Sequence, residues 1–374
     1  MKNRLHPFAA VWNVFFVVVT AVVLMLSACS KPMTSVETVQ LDSLCRQLFP
    51  ANEAGAAVLV MRGDSTLFDR GYGLANLKTK TPIDGNTFFN IASVSKQFTA
   101  VAMMQLSEQG RLSLNDAVAQ HCSFPQSFWK EVRLRHLLAH SSGVPDERGY
   151  LSRQEKIFGT DSLAVAYLPH VQALHFTPGT DYEYINPTFV LAGMIVEQVR
   201  GEPFSDYMQR HIFAPANMEA YYFADDTTII PRMAHAYVNG EEYDYGEETF
   251  FATRADGGLY TSTHDFARWE KALRNGILLS DSTLNKAWTP QTQVSGSTWC
   301  DYQNRPNTWY GLGWFIEPRT DSTKTVIYHT GDNGGFQILA ARYPEDTALV
   351  LVFANRNDWN RYQLMQQIEK IYGL

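Results

Sequence analysis

The chain has 374 residues, of which 45% are hydrophobic, 18% charged and 13% aromatic, and its formal net charge is −7. This composition supports a sizeable buried core, and the length predicts two domains or one large two-lobed domain. Because the net charge is negative and the sequence contains no stripe of basic residues, it offers no electrostatic basis for binding nucleic acid.

The first 28 residues have the features of a signal peptide and not of a folded element. Lys2 and Arg4 precede an apolar stretch over residues 14–26, and the segment ends in Leu-Ser-Ala-Cys at Cys29. This ending is similar to a bacterial lipobox, in which the cysteine is lipidated and becomes the first residue after cleavage. We therefore predict a protein that is lipid-anchored at Cys29 in the cell envelope and faces the periplasm or the exterior.

Two details of this segment bear on the type of anchor. Ser30 follows Cys29 at a position where an aspartate retains lipoproteins at the inner membrane, which favours the outer membrane in a Gram-negative host. Residues 7–26 almost span a bilayer, so an uncleaved membrane anchor is the alternative. Residues 29–40 follow as a short polar tether.

Three cysteines remain outside the lipobox, namely Cys45, Cys122 and Cys300. Their wide spacing allows at most one disulfide, and three buried free thiols are an equal alternative. No Cys-x-x-Cys or cysteine–histidine spacing predicts a metal site.

The first folded part of the chain combines a helix with a hairpin. Apolar residues at helical spacing predict a helix over residues 39–49. Two stretches with strand character then flank Gly63-Asp64, which is a hairpin signal. An apolar lead-in and a buried helix follow, with Ser93 at the start of the helix and Gly110 at its end.

Residues 111–235 carry mostly helical and loop patterns. The stretch VRLRHLLAH predicts a helix that is stopped by the glycine and proline of SSGVPD, at Gly143. A strongly apolar helix runs from about Pro187 to Gly201, and another in FSDYMQRHIFAPANM is broken at Pro215.

Strands return after about residue 236. GGLYTSTHDFARWEKALRNG predicts a strand and then a helix capped at Ser262 or Thr263. Three antiparallel strands, the last of them central, are predicted in YGLGWFIEP, TVIYHTGDNGGFQILAARYP and TALVLVFANR. RYQLMQQIEKIYG closes the chain as a helix.

Strands at both ends of the sequence therefore flank a helical middle. We predict an α+β fold, in which one antiparallel sheet is flanked by helices and carries an inserted, mainly helical lobe. In the domain of residues 41–374, the sheet lobe takes residues 41–92 and 236–374, and the helical lobe takes residues 93–235.

Ser93 and Lys96 form the strongest candidate for catalysis. Residues three apart share a helix face, so the Lys96 amine can reach the Ser93 hydroxyl and take its proton. An N–H in the first turn of a helix has no intrahelical acceptor, so the Ser93 N–H can serve an oxyanion hole. A second Ser-x-x-Lys, from Ser127 to Lys130, follows a proline in a short aromatic stretch, and we interpret Ser127 as a loop residue.

Two more motifs follow Ser93 in the chain. Tyr184-Ile185-Asn186 lies just before an apolar helix, and His329-Thr330-Gly331 lies in a strand whose glycines let a ligand approach the backbone. Tyr-x-Asn also occurs from Tyr237 to Asn239 and from Tyr302 to Asn304. Both of these copies lie in polar turns, and we expect them at the surface.

In this order, the motifs resemble those of the serine β-lactamase and penicillin-binding DD-peptidase superfamily, on the class C side. Family-like context surrounds them in RGYGLAN, HLLAHSSGVPD, FTPGTDYEYIN, FAPANM, GGLYTS and YGLGW. The resemblance covers about residues 40–374. It implies a serine hydrolase that needs no cofactor, forms an acyl-enzyme and hydrolyses it with water.

The resemblance also implies a role for the residues of the first two motifs. Ser93 is the acylated nucleophile, and Lys96 and Tyr184 share the general-base and leaving-group-acid work. Which of the two takes the first proton stays open. Asn186 hydrogen-bonds the amide of the substrate.

The strand motif is implied to bind the substrate. His329, Thr330 and Gly331 line the substrate backbone, and the N–H of Asp332 completes the oxyanion hole with that of Ser93. His329 departs from the β-lactamases, which carry at this position a lysine that binds the substrate carboxylate. Because histidine is mostly neutral at pH 7, we expect inefficient β-lactam hydrolysis with intact acyl-enzyme chemistry.

Several other residues have both a functional and a structural interpretation. His136 and His140 have the i, i+4 spacing of two metal ligands, but no glutamate lies between them and we favour packing. Asp256 shapes a turn before two glycines rather than acting as an acid. An aromatic group either lines a substrate cleft or belongs to the core, and we favour the core. Its members are Trp299, Tyr302, Trp309, Tyr310 and Trp314.

We therefore predict a monomeric, membrane-tethered serine hydrolase that acts on a small peptide, amide or ester. One alternative within the same fold is a β-lactamase or DD-carboxypeptidase. Another is a non-catalytic protein that binds wall fragments or β-lactams. A conventional α/β-hydrolase is disfavoured, because the chain contains no Gly-x-Ser-x-Gly.

Overall fold

The computed structural model describes most of the chain beyond the predicted signal peptide. Its described residues are 35–147, 160–222, 230–243, 253–294, 307–319 and 324–374. The predicted lipidation site Cys29 lies outside these ranges, as do Cys300 and the motif from Tyr302 to Asn304. Within the described ranges, none of the helices reaches the length and hydropathy that a membrane span requires.

The strands and helices of the described residues are numbered in chain order. The strands are β1 (Ala56–Arg62), β2 (Ser65–Tyr72), β3 (Leu74–Asn76), β4 (Thr81–Pro82), β5 (Phe89–Asn90), β6 (Ala220–Tyr222), β7 (Tyr237–Val238), β8 (Glu241–Glu242), β9 (Leu259–Thr261), β10 (Thr292–Gln293), β11 (Trp309–Tyr310), β12 (Phe315–Pro318), β13 (Thr325–Asn333), β14 (Phe336–Tyr343) and β15 (Ala348–Ala354). The helices are α1 (Val36–Leu48), α2 (Lys96–Glu108), α3 (Leu134–Leu138), α4 (Asp161–Ala164), α5 (Asn186–Arg200), α6 (Phe204–Met208), α7 (Thr263–Arg274), α8 (Asp281–Ala287) and α9 (Arg361–Tyr372).

An antiparallel sheet of eight strands forms the centre of the fold, in the order β10-β11-β12-β13-β14-β15-β1-β2. β1 pairs with β15 from Ala56 opposite Ala354 to Arg62 opposite Ala348, which joins the two ends of the chain. A separate sheet, β5-β9-β6, leads into the segment that carries Ser93. This architecture confirms the predicted α+β fold. The lobe boundaries at residues 93 and 235 stay a prediction.

The central sheet is covered by apolar layers on both faces, because neighbouring side chains of a strand point to opposite sides. Val350 and Val352 pack with α1 and α9 on one face. Leu349, Leu351 and Phe353 pack in the core that includes α2, α5 and α7 on the other face. β15 is therefore buried at every position, which explains its uninterrupted apolar sequence and confirms that it is central.

Several predicted elements are confirmed with small shifts of their ends. α1 covers the predicted first helix, and β1 and β2 turn at Gly63-Asp64. α5 ends at Gly201, whose φ of 67° is readily adopted by glycine. α7 is capped by Ser262, whose Oγ accepts a hydrogen bond of 3.1 Å from Asp265 N.

Two of the predicted strands are each divided in two. YGLGWFIEP forms β11 and β12 around a turn in which Gly313 has a φ of 95°. TVIYHTGDNGGFQILAARYP forms the hairpin of β13 and β14, which turns at Gly334 and Gly335. The prediction of one strand for each stretch was wrong. In the second stretch, the Gly-Gly pair after Asn333 is a signal for a two-residue turn, and Gly334 has a φ of 56°.

The helix predicted up to Gly143 ends at Leu138. His140 has a φ of 51°, a left-handed conformation that cannot continue a right-handed helix. In the second Ser-x-x-Lys copy, Ser127 was interpreted as a loop residue, but it begins a single 3₁₀ turn, Ser127–Lys130, where it is exposed.

Tyr237 was expected at the surface, and this expectation is wrong. Its side chain is buried, and its hydroxyl oxygen accepts a hydrogen bond of 2.9 Å from Leu77 N. Its own N–H donates a hydrogen bond of 2.9 Å to Asn355 O. Only the turn between β7 and β8, which begins at the exposed Asn239, matches the polar pattern that indicated a surface position.

Cys45 and Cys122 are free thiols. Burial raises the pKa of Cys45 to about 12 and that of Cys122 to about 11. The free-thiol alternative therefore holds for these two cysteines.

Candidate active site

The candidate nucleophile lies in a strained turn between β5 and α2. Ser93 belongs to the 3₁₀ turn Ala92–Ser95, directly before α2, and it is partly exposed whereas its neighbours in the turn are buried. Ala92 has a φ of 47°, a conformation that costs about 1–2 kcal/mol in a non-glycine residue. Asn90 supports it, since its Oδ1 accepts a hydrogen bond of 2.8 Å from Ala92 N. This turn leaves the Ser93 side chain facing outward.

Strand β13 packs directly against this turn at Gly331. A Cβ atom at Gly331 would lie 2.3 Å from Ile91 O and 3.0 Å from the Cβ of Ala92. The glycine is therefore required by the contact between β13 and the backbone before Ser93. Its predicted role was to admit a ligand, and the structure gives a different reason for its size.

The Lys96 side chain is held under Ser93. Its Nζ lies 3.1 Å from Ser93 Oγ and donates a hydrogen bond of 2.7 Å to the carbonyl oxygen of Asp256. Lys96 is fully buried. A neutral amine at this position can accept the Ser93 proton, because only one hydrogen bond separates the two atoms.

The Tyr184 segment approaches Lys96 from the other side of the site. Lys96 Nζ lies 5.0 Å from the centre of the Tyr184 ring and 5.6 Å from that of Phe189. Asn186 is the first residue of α5, and its buried Oδ1 has no hydrogen-bond partner among the described residues. This oxygen can accept a hydrogen bond from the N–H of a substrate amide.

His329 is buried in the site and is electrically neutral. Its Nδ1 lies 2.7 Å from the carbonyl oxygen of Thr330, and its Nε2 lies 2.9 Å from the Tyr310 hydroxyl. A carbonyl can only accept, so Nδ1 carries the proton and Nε2 accepts from Tyr310. Burial, followed by the nearby Lys96, lowers the pKa of His329 to about 3. His329 therefore supplies no positive charge at neutral pH, and Thr330 beside it is also buried.

The β13–β14 hairpin sets the direction of the Asp332 N–H. Asn333 pairs with Phe336 across the two-residue turn, and Asp332 faces Gln337. Hydrogen bonds to one neighbour alternate along an antiparallel strand, so the N–H of Asp332 points away from β14. The Asp332 carboxylate is exposed and pairs with the buried Arg361. Its N–H and that of Ser93 thus belong to two segments that pack together at Gly331.

The roles of two groups of the site were not assigned from the sequence. Asp256 lies in the turn predicted for it, but only the structure reveals that its carbonyl oxygen holds Lys96. Tyr310 and Trp314 are buried, which confirms the core interpretation for both, while Trp309 is half-buried. Tyr310 in addition reaches His329, and its place in YGLGW is the sequence feature that points to it.

The two histidines with metal-ligand spacing do not share a helix face. α3 ends at Leu138, between them. Each already uses its Nδ1, since His136 accepts a hydrogen bond of 3.1 Å from Arg133 N and His140 one of 3.2 Å from Ile185 N. These contacts favour the packing interpretation.

The family model for beta-lactamases matches residues 45–369. The match includes the Ser93 turn, the Tyr184 segment and β13. This chain therefore belongs to the beta-lactamase family, within the serine β-lactamase and penicillin-binding protein superfamily.

Individual relatives agree with this assignment. Penicillin-binding protein 4* of Bacillus subtilis (strain 168) is 26% identical over 342 residues, which cover 86% of this chain and 73% of that protein. The octameric penicillin-binding protein homologue from Pyrococcus abyssi has a TM-score of 0.75 at 24% identity and covers 89% of this chain and 77% of its own. The D-amino acid amidase from Ochrobactrum anthropi SV3, complexed with D-phenylalanine, has a TM-score of 0.73 at 22% identity and covers 91% and 98%. The fold is thus that of the superfamily, and class C affinity and lipidation stay predictions.

Proposed function

We propose that this protein is a serine hydrolase of the cell envelope that acts on small peptides, amides or esters through an acyl-enzyme on Ser93. The observation that carries the proposal is the distance of 3.1 Å between Lys96 Nζ and Ser93 Oγ at a partly exposed serine. Membership of the beta-lactamase family supports serine hydrolase chemistry in general.

The geometry supports a two-step reaction. Ser93 Oγ attacks the carbonyl carbon of the substrate while its proton passes to Lys96 or Tyr184, and the carbonyl oxygen accepts hydrogen bonds from Ser93 N and Asp332 N. The leaving group then takes that proton and departs. A water molecule then attacks the carbonyl carbon of the acyl-enzyme and gives one proton to the same base. The ester bond to Ser93 Oγ breaks, Oγ takes up that proton, and the acid product leaves.

The substrate class follows from the neutral state of His329. A permanent cation at this position favours substrates with a carboxylate, whereas a neutral imidazole bonded to Tyr310 does not attract one. An amide or ester without a carboxylate next to the scissile bond is therefore the proposed substrate. The fold-level similarity to a D-amino acid amidase is consistent with an amide.

The proposal is tested by labelling with a fluorophosphonate probe, followed by an intact-protein mass spectrum. Residues 30–374 should gain one adduct, and Ser93→Ala should gain none. Ser127→Ala is the matched control, because it removes the exposed serine of the second Ser-x-x-Lys, and it should label like the wild type. Folded wild type that takes no adduct would exclude the hydrolase.

A substrate panel then separates the related activities. The panel contains the amides of D- and L-phenylalanine, a p-nitrophenyl ester, a peptide ending in D-alanine and nitrocefin. Turnover of an amide or ester that is lost in Ser93→Ala is the expected result. Saturable nitrocefin hydrolysis of the same kind would favour a β-lactamase instead, and a stable adduct without turnover would favour a binding protein.

The lipid anchor, the envelope location and the monomeric state are parts of the same proposal. The sequence around Cys29 supports the anchor and the location, whereas the monomeric state is an expectation without supporting evidence. Mass spectrometry of the protein from the membrane fraction is expected to find Cys29 as the lipidated first residue. A protein that retains residues 1–28 would support the uncleaved anchor over residues 7–26. Light scattering of the soluble form determines its oligomeric state.

A further inference from the structure

His140 lies beside the candidate site although it is not one of the predicted site residues. It is buried, with 1% of its surface exposed. The centre of its ring lies 4.1 Å from that of Tyr184 and 4.8 Å from that of Tyr310. Its φ of 51° takes the chain out of the axis of α3 at this residue. The ring of His140 therefore packs against one of the two candidate bases.

Both backbone neighbours of Tyr184 are hydrogen-bonded to His140. Glu183 N donates a hydrogen bond of 2.9 Å to the carbonyl oxygen of His140. Ile185 N donates one of 3.2 Å to His140 Nδ1. Tyr184 lies between these two bonds, so its backbone cannot shift without breaking at least one of them. A loop that would otherwise lack regular backbone partners is fixed on both sides of the tyrosine.

The same contacts determine the charge of His140. Its Nδ1 accepts a hydrogen bond, so the ring proton is on Nε2. Burial, and then the neighbouring Lys96 and His329, hold the pKa of His140 well below its ordinary value. The aromatic rings around it belong to Tyr182, Tyr184, Phe189 and Tyr310. A neutral imidazole whose acceptor nitrogen is already used does not exchange protons with a substrate.

We propose that His140 is a positioning residue that holds the Tyr184 ring against Lys96. The inference rests on the proposed function, because Tyr184 matters only if Ser93 is acylated. The Tyr184 ring centre lies 5.0 Å from Lys96 Nζ, and a displacement of about 1 Å at a catalytic group costs on the order of 10²-fold in rate. His140 contacts the Tyr184 ring and acts through it.

Two substitutions of similar polarity test whether the hydrogen bond from Ile185 N is needed, or only a polar side chain in place of His140. In His140→Asn, the amide oxygen takes the place of Nδ1, and asparagine tolerates a positive φ. In His140→Gln, the amide lies one methylene further out and cannot meet Ile185 N. The rate of fluorophosphonate labelling should fall by about 10–100-fold in His140→Gln and recover most of that loss in His140→Asn. Because His140 is neutral throughout, the pH dependence of labelling should be the same in wild type and His140→Asn.

A double-mutant cycle with Tyr184→Phe provides the decisive readout. If His140 acts through Tyr184, His140→Gln costs little further rate once the Tyr184 hydroxyl is gone, so the two losses are not additive. Additive losses, or a pH profile that loses a limb in His140→Asn, would overturn the inference. Circular dichroism shows whether each variant has folded. If His140→Gln has not folded, His140→Asn takes its place in the cycle with Tyr184→Phe. If the wild type takes no label, the proposed function is wrong and the inference is lost with it. If the wild type is labelled but the two losses are additive, only the inference is wrong.

Discussion

At the scale of single residues, His329 and Lys96 show how burial distributes charge in the site. Both side chains are buried, and the Lys96 amine adds to the effect of burial in lowering the pKa of His329. His329 therefore remains an acceptor for the Tyr310 hydroxyl across the neutral range. The candidate chemistry therefore depends on Lys96 and Ser93, with hydrogen bonds between uncharged groups around them.

The contact at Gly331 gives a first prediction. In Gly331→Ala the new Cβ would lie 2.3 Å from Ile91 O, so β13 or the Ser93 turn has to move. We expect fluorophosphonate labelling to slow by about 10²-fold or more, since misplacement of a nucleophile by about 1 Å has that effect.

Gly257→Ala is the matched control for this prediction. Its Cβ would meet atoms of Ala92 at 3.7 Å and beyond, which is ordinary van der Waals contact on the same turn. It should label at nearly the wild-type rate. Equal rates in the two alanine variants would show that the approach at Gly331 does not position Ser93.

Asp161 gives a prediction on pH. Burial raises the pKa of Asp161 to about 6, and the nearby Asp256 and Glu197 add smaller contributions. The hydrogen bond from Arg254 N lowers this pKa but does not offset them. A carboxyl group with a raised pKa favours the folded state below its unfolded pKa, and this contribution is lost as the pH rises toward 6. The stability of Asp161→Asn relative to the wild type should therefore increase between about pH 4.5 and 7.5, by on the order of 2 kcal/mol. Urea unfolding at both pH values measures this gain, and a difference that stays constant with pH would contradict it.

The residue types of the site could be predicted from the sequence, whereas the atoms that hold them could not. Ser93, Lys96 and His329 belong to short motifs with a chemical meaning, and the structure brings Lys96 within hydrogen-bond distance of Ser93. The support comes from a backbone carbonyl at Asp256 and from an imidazole at His140. A carbonyl oxygen has no sequence signature, because every residue has one.

At the scale of elements, Asn355 joins several segments at the end of β15. Its Oδ1 accepts a hydrogen bond of 2.7 Å from Gly55 N. Its Nδ2 donates to Leu74 O at 3.1 Å and to His235 O at 2.8 Å. The Asn355 side chain is fully buried, and its bond to Gly55 N is buried as well.

This arrangement predicts a large loss of stability in Asn355→Ala. Removing the amide leaves the buried Gly55 N–H and two partly buried carbonyls without that partner, and we expect a loss of roughly 2–3 kcal/mol in the free energy of unfolding. Asn357→Ala, at an exposed position two residues on, should change the stability little. Chemical denaturation of both variants tests the prediction, which fails if the two lose equal amounts.

Regular elements could be predicted where a periodic apolar pattern is long, as in α2, α5 and β15. The errors fall where one residue with a positive φ interrupts a pattern. His140 ends α3 early, and Gly313 and Gly334 divide apparent single strands. A positive φ at a histidine is set by its tertiary contacts, so the sequence of VRLRHLLAHSS alone could not indicate it.

At the scale of the whole molecule, buried neutral histidines make the fold sensitive to acid. Burial lowers the pKa of His329 to about 3 and that of His136 to about 4, and holds that of His140 well below normal. Each of them contributes stability above its unfolded pKa and loses it as the pH falls toward the folded value. Unfolding free energy should therefore fall from about pH 6.5 to 4.5 by up to about 1.4 kcal/mol per pH unit for each histidine.

A pair of glutamine variants tests this prediction away from the candidate site. His136→Gln should reduce the slope of unfolding free energy against pH by about one proton. His170→Gln, at an exposed histidine, should leave the slope as it is. Equal slopes in both variants and the wild type would show that His136 takes up no proton on unfolding.

The pairing of β1 with β15 affects how the chain can be made. Ala56 lies opposite Ala354, so the central sheet stays open until the final strand has been synthesised. Before that point β1 and β14 each have an unpaired edge, and contacts between such distant segments form slowly because the long loop has to close first. The last hydrogen bonds of the central sheet can therefore form only after residues 348–354 have been synthesised, so completion of the core is a late event in the folding of this chain.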